Sequence, residues 1–101
     1  MSFEEFMAAA TPPAEASAAL QALWHDAHGD WDRAHQRAQE DEGTAGSWVH
    51  AYLHRKEGDL ANARYWYARA GKTPPAKAVS LDAERAAIAR ELLKKGQGGH
   101  W

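Results

Sequence analysis

Gly58-Asp59-Leu60-Ala61-Asn62-Ala63-Arg64-Tyr65-Trp66-Tyr67-Ala68-Arg69-Ala70-Gly71 is the stretch on which the fold turns. Glycine pays no Cβ penalty in the left-handed conformation, so Gly58 is a natural end for a preceding helix. Asp59 follows at once, and an aspartate side chain accepts from the free N–H groups of the next helix's first turn. A stop and a start in consecutive residues turn the chain back on itself, which predicts two helices packed antiparallel. Ala63, one turn into the second helix, lets the two backbones approach closely. That helix runs to about Ala70 and is closed by Gly71, and Thr73-Pro74-Pro75 forbids its continuation.

The same pattern stands 29 residues earlier. Ala22 superposes on Ala51, His25 on His54, Gly29-Asp30 on Gly58-Asp59, and Ala34 on Ala63. The first unit is then a helix over 12–28, opened by Thr11-Pro12 and carrying Ala16, Ala19, Leu20, Leu23 and Ala27 at helical spacing. A second helix follows over 31–42, with Gly43 as its stop. The second unit begins at Thr44 or Ser47 with a helix ending near Glu57. Outside the units, Ser2 and Glu5 form a capping box for a short helix that presents Phe3, Phe6 and Met7. Ser80 caps a last helix over 81–95, with Leu81, Ile88 and Leu92 in one stripe and Lys94 and Lys95 where the helix dipole favours cations. Residues 96–101 are expected to be a flexible tail. The only rival to helix is a strand over 48–53, and its neighbours argue against it.

Gly58-Asp59-Leu60-Ala61-Asn62-Ala63, with Tyr67, Ala70 and Pro75, resembles the second half of a tetratricopeptide repeat. Ala63 to Ala70 is also similar to the A-x-x-W-Y-x-K-A stretch of Sel1-like repeats. Gly29-Asp30-Trp31-Asp32-Arg33-Ala34 matches equally well. The resemblance covers roughly residues 16–75, with a repeat shorter than the family's usual length of about 34. The first halves of both units lack the family's Trp and Leu-Gly, and Ala38 stands where a larger residue is common. Two units fall below the roughly three that a stable stack wants, so the short N-terminal helix and the 81–95 helix are expected to cap the ends. The expected fold is therefore all-α: one domain over 1–95, with two tetratricopeptide-like hairpins at about 16–43 and 45–75.

Bulk composition narrows the function classes. The chain has 101 residues, 45% of them hydrophobic, with much of that share Ala, so five Trp, three Tyr and two Phe must fill the core. Net charge is −2 and the basic residues are interspersed with acids, which speaks against nucleic acid. No apolar run approaches the ~20 residues of a membrane span. The acidic N-terminal stretch lacks the design of a signal peptide. With no Cys there is neither disulfide nor thiolate chemistry. The expectation is a cytoplasmic protein.

Tetratricopeptide proteins bind partners on a concave face lined by the first helix of each hairpin. The resemblance implies that Trp48, Tyr52 and Arg55 lie there, with Leu23 and Asp26 opposite. Their spacing of four and three also makes Trp48, Tyr52 and Arg55 one stripe on any helix, and these residue types recur at binding hot spots. The leading expectation is a non-enzymatic module that binds a protein or peptide segment. Tyr65 and Trp66 offer a surface for self-association, because Tyr65-Trp66-Tyr67 spreads three aromatics around a helix too widely for one buried face. Histidines support the alternative, a small-ligand or metal site with a catalytic variant in view. His25 and His28 lie three apart and His50 and His54 four apart, spacings that place two imidazoles on one ion. His35, Asp26 and Asp30 are further candidate ligands. No nucleophile, base and orienting group can be read from spacing among Asp30, His35, Tyr52, His54 and Tyr65, so the sequence leans away from an enzyme.

Overall fold

Six helices and no strands form among the described residues, which in this computed structural model are 1–98, with side chains through Lys94. The first, α1 (Phe3–Ala8), is closed by the expected capping box: Glu5 N–H donates to Ser2 Oγ at 3.0 Å and Ser2 N–H to Glu5 Oε1 at 2.9 Å.

The second helix, α2 (Ala18–Ala27), starts later than Thr11-Pro12 implied. Pro13 pushes Pro12 out of the helical region, so the helix waits for Ser17, whose Oγ accepts from Leu20 N–H at 3.2 Å. The preceding segment is held from α2, where Gln21 Nε2 donates to the carbonyls of Pro13 and Ala16, and Trp24 Nε1 to that of Ala9.

Both Gly-Asp hinges form as the sequence implied. Gly29 and Gly58 take φ of +85° and +89°, and Asp30 and Asp59 accept from the N–H groups of Arg33 and Asn62. They start α3 (Trp31–Glu40) and α5 (Leu60–Ala70). Gly43 does not act as the expected left-handed stop: its φ is −87°, and it is the N-cap of α4 (Thr44–Glu57). The glycine that this junction requires is Gly46, where an added Cβ would lie 1.9 Å from the Asp41 carbonyl oxygen. Ser80 caps α6 (Leu81–Gly98) by accepting from Ala83 N–H. This helix passes the expected end at Lys95, so the expected tail begins inside it, and residues 99–101 lie outside the described residues.

α2 packs on α3, α3 on α4 and α4 on α5. Trp31 meets Leu53 and His54 while His35 meets His50, so α3 and α4 run antiparallel. α6 lies against α4, α2 and α1. The core gathers Phe6, Leu20, Leu23, Trp24, Val49, Tyr52, Leu53, Ile88 and Leu92, interleaved with small Ala19, Ala22, Ala34, Ala38 and Ala89. Full burial of each large side chain contributes about 1.5–3 kcal/mol. The alanines let the helices approach closely enough for those large residues to interdigitate. The result is a globule of 35 × 30 × 26 Å. No helix among the described residues is long and apolar enough to cross a membrane.

Candidate metal centre

α4 sets His50 and His54 one turn apart on the side that meets α3, and the antiparallel pairing brings His35 opposite them. One ring nitrogen from each of the three lies within 4.8 Å of the others. His35 Nε2 and His50 Nε2 stand 2.8 Å apart, a separation at which one donates and the other accepts, so the pair shares one proton. His50 and His54 stack, with centroids 4.7 Å apart and planes at 23°, and His35 meets both edge-on.

Two indoles wall the cluster. Trp31 stacks on His35 at 4.9 Å and is itself fixed by Nε1 donating to the Leu53 carbonyl. Trp66, from α5, stacks on His50 at 4.0 Å. Behind His54, Glu57 Oε1 lies 2.6 Å from Nδ1, leaving Nε2 for another partner. A carboxylate on the far nitrogen fixes the tautomer of a metal-binding imidazole and raises its basicity.

His50 and His54 are buried and His35 is half-buried. Burial, then the neighbouring His35 and His54, pushes the His50 pKa down to about 4. Burial and His54 also lower that of His35, against smaller opposing effects from Glu57 and Asp32. At neutral pH these two imidazoles are uncharged, the form that binds metal once the proton shared between their Nε2 atoms is released. Three imidazoles suit zinc, nickel or copper, and with zinc they leave one position open. His50 also borders a cleft of about 320 Å³ lined by Asp41, Glu42, Ser47, Trp66 and Arg69, which His35 and His54 do not line. Glu57, Asp59 and His54 form a second possible set. There Glu57 already holds His54, Asp59 caps α5, and both acids are exposed, so this set is the weaker one.

The other expected histidines lie elsewhere. His28 stacks on Trp24 at 3.8 Å with Nδ1 2.8 Å from the Trp24 carbonyl, and buried His25 meets Trp24 edge-on. His25 and His54, superposed by the 29-residue shift, do not share a site, because the cluster is built between α3 and α4. Of the three histidines in the cluster, His35 is the one that helical spacing alone did not place there. The signals were Trp31 four before it, and Glu57 three after His54.

Leu23, Asp26 and Tyr52 are brought together, but in the interior. Leu23 and Tyr52 are fully buried. Tyr52 Oη donates to Asp26 Oδ2 at 2.5 Å, Lys56 Nζ to Oδ1 at 2.7 Å, and Arg85 from α6 to Oδ2 at 3.4 Å. Burial and then the Asp26 carboxylate raise the Tyr52 pKa. Arg55 donates to Glu84 Oε1 at 2.9 Å and to the Val79 carbonyl, while Tyr67 Oη donates to Glu84 Oε2. Trp48 is half-buried with Lys72 Nζ 4.2 Å above its ring. Tyr65 is 54% exposed, whereas Trp66 is engaged on His50. Asp30 is a helix cap paired to Arg33.

No family model, curated protein or solved structure matches the chain.

Proposed function

We propose that this protein is a helical metal-binding module in which His35, His50 and His54 hold a divalent transition-metal ion, of the zinc class, between α3 and α4. The observation that carries this reading is the convergence of three imidazole nitrogens within 4.8 Å from two helices. Glu57 behind His54 and the stacked Trp31 and Trp66 support it, since both restrict the rings to the orientation they already have. Three protein ligands would leave a zinc ion one further position for water or a small molecule.

We also read α2–α3 and α4–α5 as two shortened tetratricopeptide- or Sel1-like hairpins. The paired Gly-Asp hinges support this, because both have the same left-handed glycine and the same aspartate cap. In that reading the ion bridges the seam between the two units, joining the last helix of one to the first helix of the next.

The test is titration of metal-stripped protein with cobalt(II), zinc(II), nickel(II) and copper(II). About one equivalent should bind, cobalt should give the intense visible bands of a low-coordinate site, and the unfolding temperature should rise with metal concentration. His35→Ala and His50→Ala should each abolish the bands. Absence of stabilisation by every metal, or bands that survive both substitutions, rejects the centre.

A further inference from the structure

Leu60, Ala63, Tyr67, Pro74 and Pro75 floor a groove of about 170 Å³ between α5 and the 71–80 segment, edged by Arg55, Arg64 and Lys77. It shares no lining residue with the cleft beside the histidines. Two features set it apart from ordinary surface. Leu60 stands at the first position of α5 with 49% of its surface in water, one of three large hydrophobic side chains so exposed among the described residues. The charged residues of the rim are all basic, in a chain whose net charge is −2.

These cations are not equivalent. Arg55 is held in place by Glu84 and the Val79 carbonyl. Arg64 and Lys77 are exposed, and among the described residues neither makes an ion pair. Two uncompensated cations beside an apolar floor match a ligand that is anionic at its flanks and apolar at its centre. An arginine fork also favours a carboxylate in bidentate geometry. Single-stranded nucleic acid fits less well, because the floor's only ring, Tyr67, is buried and offers no face for a base to stack on.

We propose that this groove docks an acidic peptide segment, seating an aliphatic side chain on Leu60, Pro74 and Pro75 and pairing the flanking carboxylates with Arg64 and Lys77. The apolar contact supplies affinity, and the rim charges steer the approach and set direction along the groove.

Fluorescence polarisation of the full chain with a fluorescein-labelled Glu-Asp-Leu-Asp-Glu peptide tests this, with and without bound metal. Saturable binding is expected, weakening as salt is added. The double variant Arg64→Glu, Lys77→Glu should weaken it by at least about tenfold. Leu60→Asp, and a peptide with Ser in place of its Leu, should do likewise. The substituted side chains are exposed, so unchanged circular dichroism and unfolding temperature will show that the variants fold. No saturation below about 1 mM peptide overturns the proposal. So does undiminished binding of the Ser peptide or of a Lys-for-acid peptide, or tighter binding of an oligothymidylate of equal charge.

Discussion

Asp26 is only 2% exposed, yet it accepts from a phenol, an ammonium and a guanidinium drawn from α4 and α6. Removing the carboxylate strands the buried Tyr52 hydroxyl and takes one partner from Lys56, which is partly in water, and from Arg85, which keeps Asp82. Removing the hydroxyl leaves the carboxylate with both cations. Asp26→Ala should therefore cost about 2–3 kcal/mol, and Tyr52→Phe about 1 kcal/mol. Urea unfolding of the two variants checks the order, and equal losses would contradict it. The histidines make a second prediction at this scale. His25, His35 and His50 are each held below the ordinary value of about 6.5, by burial first in every case. Between about 6.5 and the lower folded values, the unfolded chain binds protons that the folded chain refuses, so stability rises with pH through that window. Metal-free protein should have a flat urea midpoint above pH 7 and a falling one from about 6.5 toward 4. A midpoint that rises on acidification would mean these rings gain their protons on folding.

At the scale of elements, the junctions differ in what they tolerate. Gly46→Ala drives a Cβ into the Asp41 carbonyl, and no side chain can move aside to relieve it. Gly58→Ala meets nothing within 4 Å, and its cost is that of a left-handed residue alone, about 1–2 kcal/mol. Thermal unfolding should place Gly46→Ala well below Gly58→Ala. The same contrast explains which parts of the fold were legible beforehand. Gly29-Asp30, Gly58-Asp59, Ser2 with Glu5, and Ser80 were readable because a stop or cap is satisfied within three residues. Thr11-Pro12 misled because the penalty from Pro13 outweighed a good local cap. The seat of α6 could not be read, since Glu84 reaches Arg55 and Arg85 reaches Asp26 across long stretches of chain, and no local pattern encodes those pairs. For the same reason the stripe of Trp48, Tyr52 and Arg55 was correctly placed on one helix, while the pairing of Tyr52 with Asp26 of α2 and of Arg55 with Glu84 of α6 stayed hidden. Two of the three histidines of the centre were visible as the pair His50 and His54, whose four-residue spacing is intrahelical. His35 needed the α3–α4 packing, which depends on how Ala34, Ala38 and Gly46 let the two helices approach.

Taken as a whole molecule, α4 is the shared member of every cluster. It carries His50 and His54 toward α3, Tyr52 and Lys56 toward α2, and Arg55 toward α6. The hairpin contacts are local in sequence, whereas the attachment of α6 is not: the Arg85–Asp26 pair joins residues 59 apart. Contacts that close long loops form late as a rule, because the loop's entropy must be lost before they can repay it. Ile88→Val, in a fully buried position of α6, should accordingly speed unfolding and leave the folding rate almost unchanged. A matching slowdown in folding would place α6 in the nucleus instead. During synthesis, then, α2 through α5 leave the ribosome with the Asp26 carboxylate and the Tyr52 phenol still wet. The nascent chain completes this interior only when α6 arrives.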